Sequence, residues 1–389
     1  MRKINFISVF LAVSILFCGC ADKKDHVYED KEWRTNIRSV SGIEPYEDGV
    51  YYKNKNDILC YFDTSSQKAT VLCSKKGCSH EGKSCPAYIE TFGMPDAAND
   101  SLYYLSLEGE LTRKKLDNTS EEKIWDMGKT LRKEMGDETS ISFSGYIVTG
   151  NYVYTVVRIA YTDEEGAYKE REELHVLDTA AKKQTVLETV DASKETLEIL
   201  SAKNNIAYYQ AQNAYDKDFQ PETATEEEWK EQEKKMNTRV CRADAKNGGK
   251  EQVFELKSGF VSAATDDIGI YYNDFLGTGY METKNLCQKD RKTGEETILK
   301  KGDITAKYMY TILDAEHIVV QNEKGLGEIY NMKDFEMEAV VAQKKYWVAY
   351  PVKGGYFCYA PENEDGMVWQ YFTEEEIQKE GGNAVMVKE

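Results

Sequence analysis

Proline is scarce in this chain, with six residues in 389, so Pro-rich linkers and extended polyproline tracts are not a major part of it. Histidine is scarcer still, at four, which limits imidazole chemistry to His26, His80, His175 and His317. Positive charge is also short. Lys and Arg number 50 against 68 Asp and Glu, for a net charge of −18. A surface of that balance repels polyanions, which argues against nucleic acid as a partner and against attraction to anionic lipid headgroups. The sequence has no Gly-x-Ser-x-Gly elbow, no phosphate-cradling glycine loop, no His-Glu-x-x-His and no Cys-x-x-Cys-His. Tyrosine, by contrast, is plentiful, at 27 against five Trp, and suits strands. Hydrophobic residues at 41% and aromatics at 12% exclude a mainly disordered chain. The length allows two or three ordinary domains or one large domain built from repeats.

Only one hydrophobic run stands out, and it is N-terminal. Met1-Arg2-Lys3 is followed by the apolar stretch Ile4–Phe17 and then by Cys18-Gly19-Cys20. The run is too short to span a bilayer comfortably and fits a secretory signal over residues 1–19. Phe17–Cys20 resembles a bacterial lipobox, with Gly19 before the cleavage point and Cys20 as the residue that receives the lipid. Phe17 stands where Leu is usual, and the plainer alternative is an ordinary signal peptide with a chance cysteine. Two acyl chains on Cys20 give a stable anchor where one is marginal. The expected location is the extracellular face of the cell membrane, with membrane contact through the lipid only. Residues 20–48 then read as a tether with a ring-closing strand, and 49–389 as the folded domain.

A repeat fills that domain. A turn residue followed by a Tyr-rich or aliphatic strand recurs at Gly49–Tyr52, Ser101–Tyr104, Asn151–Tyr154, Asn205–Tyr209, Gly269–Tyr272, His317–Val320 and Gly355–Cys358. A second strand follows and ends at Asp63, Asp117, Asp178, Asp244, Asp290 or Asp334, whereas the seventh, Val368–Phe372, ends in Thr373. Asp in such a place bonds the backbone two residues on and starts a turn. A third strand comes next, as in Lys68–Leu72, Gln184–Leu187, Glu251–Phe254 and Glu296–Leu299. Seven copies at about 52 residues each predict an all-β chain folded as a β-propeller of seven blades, with six or eight as alternatives and a two-sheet sandwich as the plainer fold. The longest gap holds an insertion near 221–237, where Thr225 with Glu228 three residues on predicts a capped, exposed helix.

With the lipobox at Cys20 and the repeated Tyr-Tyr hairpins, the segment Leu72–Ala87 completes a resemblance. The chain looks like a lipoprotein of low-GC Gram-positive gut bacteria carrying a TolB/YncE-like propeller with a Cys-rich signature in its first blade. That resemblance covers the whole mature chain and implies a surface-anchored propeller, without assigning it an activity. The signature itself, Cys73-x4-Cys78-x-His80-x4-Cys85, places three thiols and an imidazole within 13 residues. Such a donor set suits tetrahedral zinc in a turn-rich loop, where Gly77 and Gly82 let the chain fold back. A disulfide is the alternative, because bridges persist outside the cytoplasm, and His80 then becomes an exposed loop residue. Cys60, His175, Cys241 and Cys287 occupy one equivalent strand slot and read as packing residues. Either staple is structural, since four protein ligands leave no open position for substrate.

No carboxylate pair stands out for catalysis, and the repeated Asp residues read as turns. Two functions follow. One is a non-enzymatic binding propeller for a carbohydrate, peptide or envelope protein, with zinc as its only expected cofactor. The other is an extracellular enzyme acting on polysaccharide through channel-mouth carboxylates. An envelope-assembly role rests on fold analogy alone.

Overall fold

The computed structural model describes residues 28–387 apart from 36–41, 90–93, 117–119, 137–138, 164, 217, 221–222, 258, 275–284, 302–309, 323, 325, 343–348 and 364–365. The signal segment, Cys20, His26 and Asp117 lie outside the described residues. Seven antiparallel sheets follow one another along the chain, each with four consecutive strands, at 43–71, 96–126, 140–191, 195–257, 259–301, 310–341 and 349–386, and the fourth gains a fifth strand from the N-terminal segment. They form a seven-bladed β-propeller. Among the described residues the α-helices are three short ones: α1 (Met127–Met135), α2 (Glu226–Lys235) and α3 (Glu374–Ile377). No helix among those residues is long and apolar enough to cross a membrane.

The recurrent Tyr-rich segments are the second strands of the blades, and the segments ending at Asp are the third. The innermost strands carry no shared motif. They run from the three residues of Asp96–Ala98 to the ten of Ser140–Thr149. The turns between third and fourth strands form as the sequence predicts. Asp63 accepts from Ser66 N, Asp178 from Ala180 N and Ala181 N, and Asp290 from Lys292 N and Thr293 N. In blade 6 the equivalent residue is Asn331, which accepts from Lys333 N, while Asp334 lies inside the turn. Thr373, where the Asp rule fails, caps α3 through Glu376 N. The insertion helix α2 carries its capping box, with Thr225 and Glu228 bonding each other's backbone N–H.

One hydrophobic cluster fills each of the seven interfaces between neighbouring blades. Cys60, His175, Cys241 and Cys287 are all buried there. In blades 3, 4 and 5 this slot adjoins a bulge between the third and fourth strands. His175 is satisfied in place: its Nε2 faces Glu173 Oε2 at 2.7 Å, and Gln184 Nε2 donates to its Nδ1 at 2.7 Å.

Among the described residues, no strand is shared between blades 1 and 7. The N-terminal strand Arg34–Thr35 instead pairs antiparallel with the inner edge of blade 4. Blade 7 already has four strands of its own, so ring closure falls to side chains. Phe357 is fully buried among Tyr52, Phe62 and Trp369, with ring centroids 5.8, 5.5 and 5.0 Å away. Phe62 also meets Tyr371 at 5.3 Å. Offset and tilted aromatic pairs of this kind add about 0.5–1.5 kcal/mol each beyond their burial.

The first and second strands of each blade turn at one end of the ring, as do the third and fourth. The blade-to-blade crossovers lie at the opposite end. Residues 28–35 enter from the first end, called here the tether face. Asp30 N donates to Asn204 Oδ1 at 2.7 Å, and its carboxylate accepts from Gly150 N. Trp33 packs on Tyr208 at 5.5 Å. Arg34 then crosses the channel to Ala97 O at 2.8 Å and Glu44 Oε1 at 3.4 Å, while its Nε binds Asp30. Burial works against its charge, but Glu44, Asp30 and Asp96 outweigh burial and hold the guanidinium firmly protonated.

Replacing Phe357 by Ala removes the centre of the closing seam. The expected loss is about 3–5 kcal/mol of unfolding free energy, read from urea denaturation.

Candidate metal centre

The 24-residue connection from blade 1 to blade 2 spans 72–95, and its described part 72–89 folds back over the crossover end of blade 1. Both arms of the loop are fastened to Leu59, the first residue of the blade's third strand. Leu72 N donates to Leu59 O at 3.0 Å, and Leu59 N donates to Ala87 O at 2.8 Å. A bridge between Ile58 and Tyr88 continues the second contact. Gly77 and Gly82 have φ of 73° and 58°, the left-handed conformation that lets the loop reverse. No atom lies within 4 Å of a Cβ built on either, so backbone conformation alone accounts for glycine there.

This path brings Cys73, Cys78, His80 and Cys85 together, with their ligand atoms all within 4.8 Å of one another. Cys85 is buried and the other three are half-buried. The Cys85 Sγ to His80 Nδ1 separation is 3.7 Å. A tetrahedral zinc with its usual Zn–S and Zn–N bonds sets that edge at about 3.6 Å. Ala87 N donates to Cys85 Sγ at 3.4 Å, an outer contact of the kind that holds a ligating sulfur in place. The thiols sit in unequal surroundings. The backbone N–H of His80 holds Cys78 below its ordinary value, whereas burial pushes Cys85 up to about 11. A divalent cation removes that difference, because each bound sulfur is a thiolate. The four residues therefore fit a metal ion.

Two other constellations were not visible in the sequence. In the channel, Glu44 and Asp96 are buried carboxylates, as an enzymatic channel mouth would require. Both are engaged: Glu44 by Arg34 and Ala97 N, Asp96 by Val148 N at 2.6 Å. The second is a cavity of about 410 Å³ on the tether face, between blades 6, 7 and 1. Six carboxylates line it, with Tyr46 and Tyr356 on its walls. His317, read from sequence as strand packing, is on that wall. Its Nδ1 faces Asp314 at 2.9 Å and its Nε2 faces Glu338 at 3.2 Å. Burial works to lower its basicity, but the hydrogen bond and charge of Asp314, with Glu338 and Glu316, prevail and raise it above the ordinary imidazole. The Asp314-x-x-His317 spacing was the available signal.

No family model matches the chain, and no curated protein matches it. Solved structures do resemble it. An oligogalacturonate lyase in complex with manganese aligns at 12% identity over 88% of this chain and 89% of its own, with a TM-score of 0.50. The β-propeller domain of the Trilobed protease from Pyrococcus furiosus, described as having an open velcro topology, aligns at 11% over 90% and 93%, with a TM-score of 0.48. BamB from Moraxella catarrhalis aligns at 10% over 85% and 84%, at 0.36. At these identities the lyase shares the propeller fold and nothing narrower.

Two outcomes are expected. Protein purified without chelator under reducing conditions carries about one metal ion per chain by mass spectrometry, and Cys78→Ser loses both the ion and thermal stability. For His317, the raised basicity stabilises the fold fully below the ordinary value of 6.5, and that contribution disappears as pH rises through the higher folded value. The melting temperature of the native chain should fall from mildly acidic to mildly alkaline pH by more than that of His317→Gln.

Proposed function

We propose that this chain is a lipid-anchored cell-surface protein whose propeller is a non-enzymatic binding module, held at blade 1 by structural zinc. Its partner is a carbohydrate, a peptide or an envelope protein. The observation that carries this reading is the engagement of the channel carboxylates: Arg34 crosses the channel, and the buried Glu44 and Asp96 are spent on Arg34 and on backbone N–H groups. Loops on the two faces are left to make contacts. Zinc is favoured over a disulfide by the donor set, since a disulfide takes two sulfurs and gives no reason for His80 to converge on Cys85.

The cavity around His317 favours the second reading, an extracellular enzyme acting on polysaccharide. Against it, both ring nitrogens of His317 face carboxylates. An imidazole so held is a fixed positive centre, and a general base needs a nitrogen within reach of the substrate proton.

The mature chain, solubilised in detergent, is to be incubated with a panel of polysaccharides, oligosaccharides and peptides. Binding is measured by calorimetry and products by mass spectrometry. The expected result is heat of binding for at least one class with the ligand recovered intact. Shortened or unsaturated oligosaccharides would transfer the assignment to the enzymatic reading.

A further inference from the structure

We infer that the tether face of the ring is the surface turned toward the membrane, and that the crossover face is held away from it. The inference rests on the proposed lipid at Cys20 and adds an orientation to it.

The point where the chain leaves the ring is fixed. Asp30 is bonded to Asn204 and Gly150, which are turn residues of blades 4 and 3 on the tether face. Trp33 is buried between blades 4 and 5, and Arg34 is pinned in the channel. The strand Arg34–Thr35 runs antiparallel to Glu195–Lys203, so the chain travels inward from that face. Tyr28, whose carbonyl lies beside the blade 3 turn at Gly150, is therefore on the tether side of the ring.

The tether is short. Seven residues, 21–27, separate Cys20 from Tyr28. Even fully extended, the eight steps from Cys20 to Tyr28 reach at most about 28 Å. Presenting the opposite face to the bilayer requires a longer path. The chain has to cross a blade, three strand spacings or about 14 Å, before it reaches the rim. It then has to descend an outer strand. Those of blades 5 and 4, Glu296–Lys301 and Gly249–Lys257, have six and nine residues and are about 20–30 Å tall. The total exceeds the reach before the channel radius is added. A tether leaving from the rim would not impose this restriction.

The tether face carries the turn carboxylates Asp63, Asp178 and Asp290 and the acidic cavity, interspersed with exposed Lys182, Lys246, Lys292 and Lys353. The Cys-His loop and α2 then point outward. At α2, Trp229 meets Tyr215 and Phe219 edge-to-face and those two rings are tilted against each other, with centroids 4.8 to 5.9 Å apart.

The test uses the full lipidated chain in phosphatidylcholine vesicles containing an energy-acceptor lipid. A fluorescent amino acid replaces Ser65, exposed in a tether-face turn, or Glu227, exposed on α2, one at a time. Transfer to the acceptor lipid is expected to be larger from position 65 than from position 227. Equal transfer, or larger transfer from 227, overturns the orientation while leaving the anchor intact. An unmodified Cys20 by mass spectrometry, with the chain washing off the vesicles, overturns the anchor reading and the orientation with it.

Discussion

A ring must close, and among the described residues this one closes without a shared strand. The four strands of blades 1 and 7 each come from one consecutive segment, so among the described residues the join between them has no backbone ladder across it. What holds it is a cluster of side chains: Ile43, Val50, Tyr52 and Phe62 from blade 1 against Phe357, Trp369 and Tyr371 from blade 7. The other six interfaces join blades that are also covalently consecutive. The seam joins the two ends of a long chain, so its loop-closure entropy is the largest in the ring. A dense aromatic contact is the means a sequence has to offset that cost locally. Arg34 assists from the axis, because it touches blades 1 and 2 while its own strand is part of blade 4.

The Cys-His loop belongs to the same problem. Cys85 and Ala87 are members of the closing cluster, and Cys73 and Cys78 pack against it. The loop is long and polar, with Ser74–Gly77 and Glu81–Ser84 offering little to bury. Connections of this length rarely order themselves without function or a staple. Four donors meeting at one point supply the staple. A metal there fixes the loop over Leu59 and hence the blade against which Phe357 closes.

The sequence made the second and third strands of the blades legible, and the fourth in blades 1, 3, 4 and 5, because their chemistry is repeated. Tyr-Tyr pairs face two interfaces at once, and Asp begins the next turn. The inner strands, such as Ile43–Tyr46 and Asp96–Ala98, escape notice because they are short and share no motif. Arg34 was equally hidden. Its partners Glu44 and Ala97 are 10 and 63 residues away, and no local pattern links them. The Cys-His site was legible because its four donors are close in sequence. His317 was legible only in part: its strand was found, but the cavity beside it is formed by blades 6, 7 and 1 together.

The same turn chemistry bears on how the faces differ. A blade that ends its third strand with Asp places a carboxylate at the same end of the ring every time. Repetition of a local rule thus becomes a global pattern. Asp63 and Asp290 are held below the ordinary carboxylate value by the backbone N–H groups they cap, so these charges persist into acid. Part of the surplus behind the net charge of −18 is thus a consequence of fold construction. On the tether face these carboxylates alternate with exposed Lys182, Lys246, Lys292 and Lys353 from turns at that end, so the rule sets where the charges sit and leaves both signs present. The crossover face is built from connections free of that rule, and they vary from blade to blade: a Cys-His loop after blade 1, α1 after blade 2, an inserted helix in blade 4. Variation of that kind is what selective recognition requires, and a rigid ring beneath it keeps the varied loops in fixed relation to one another.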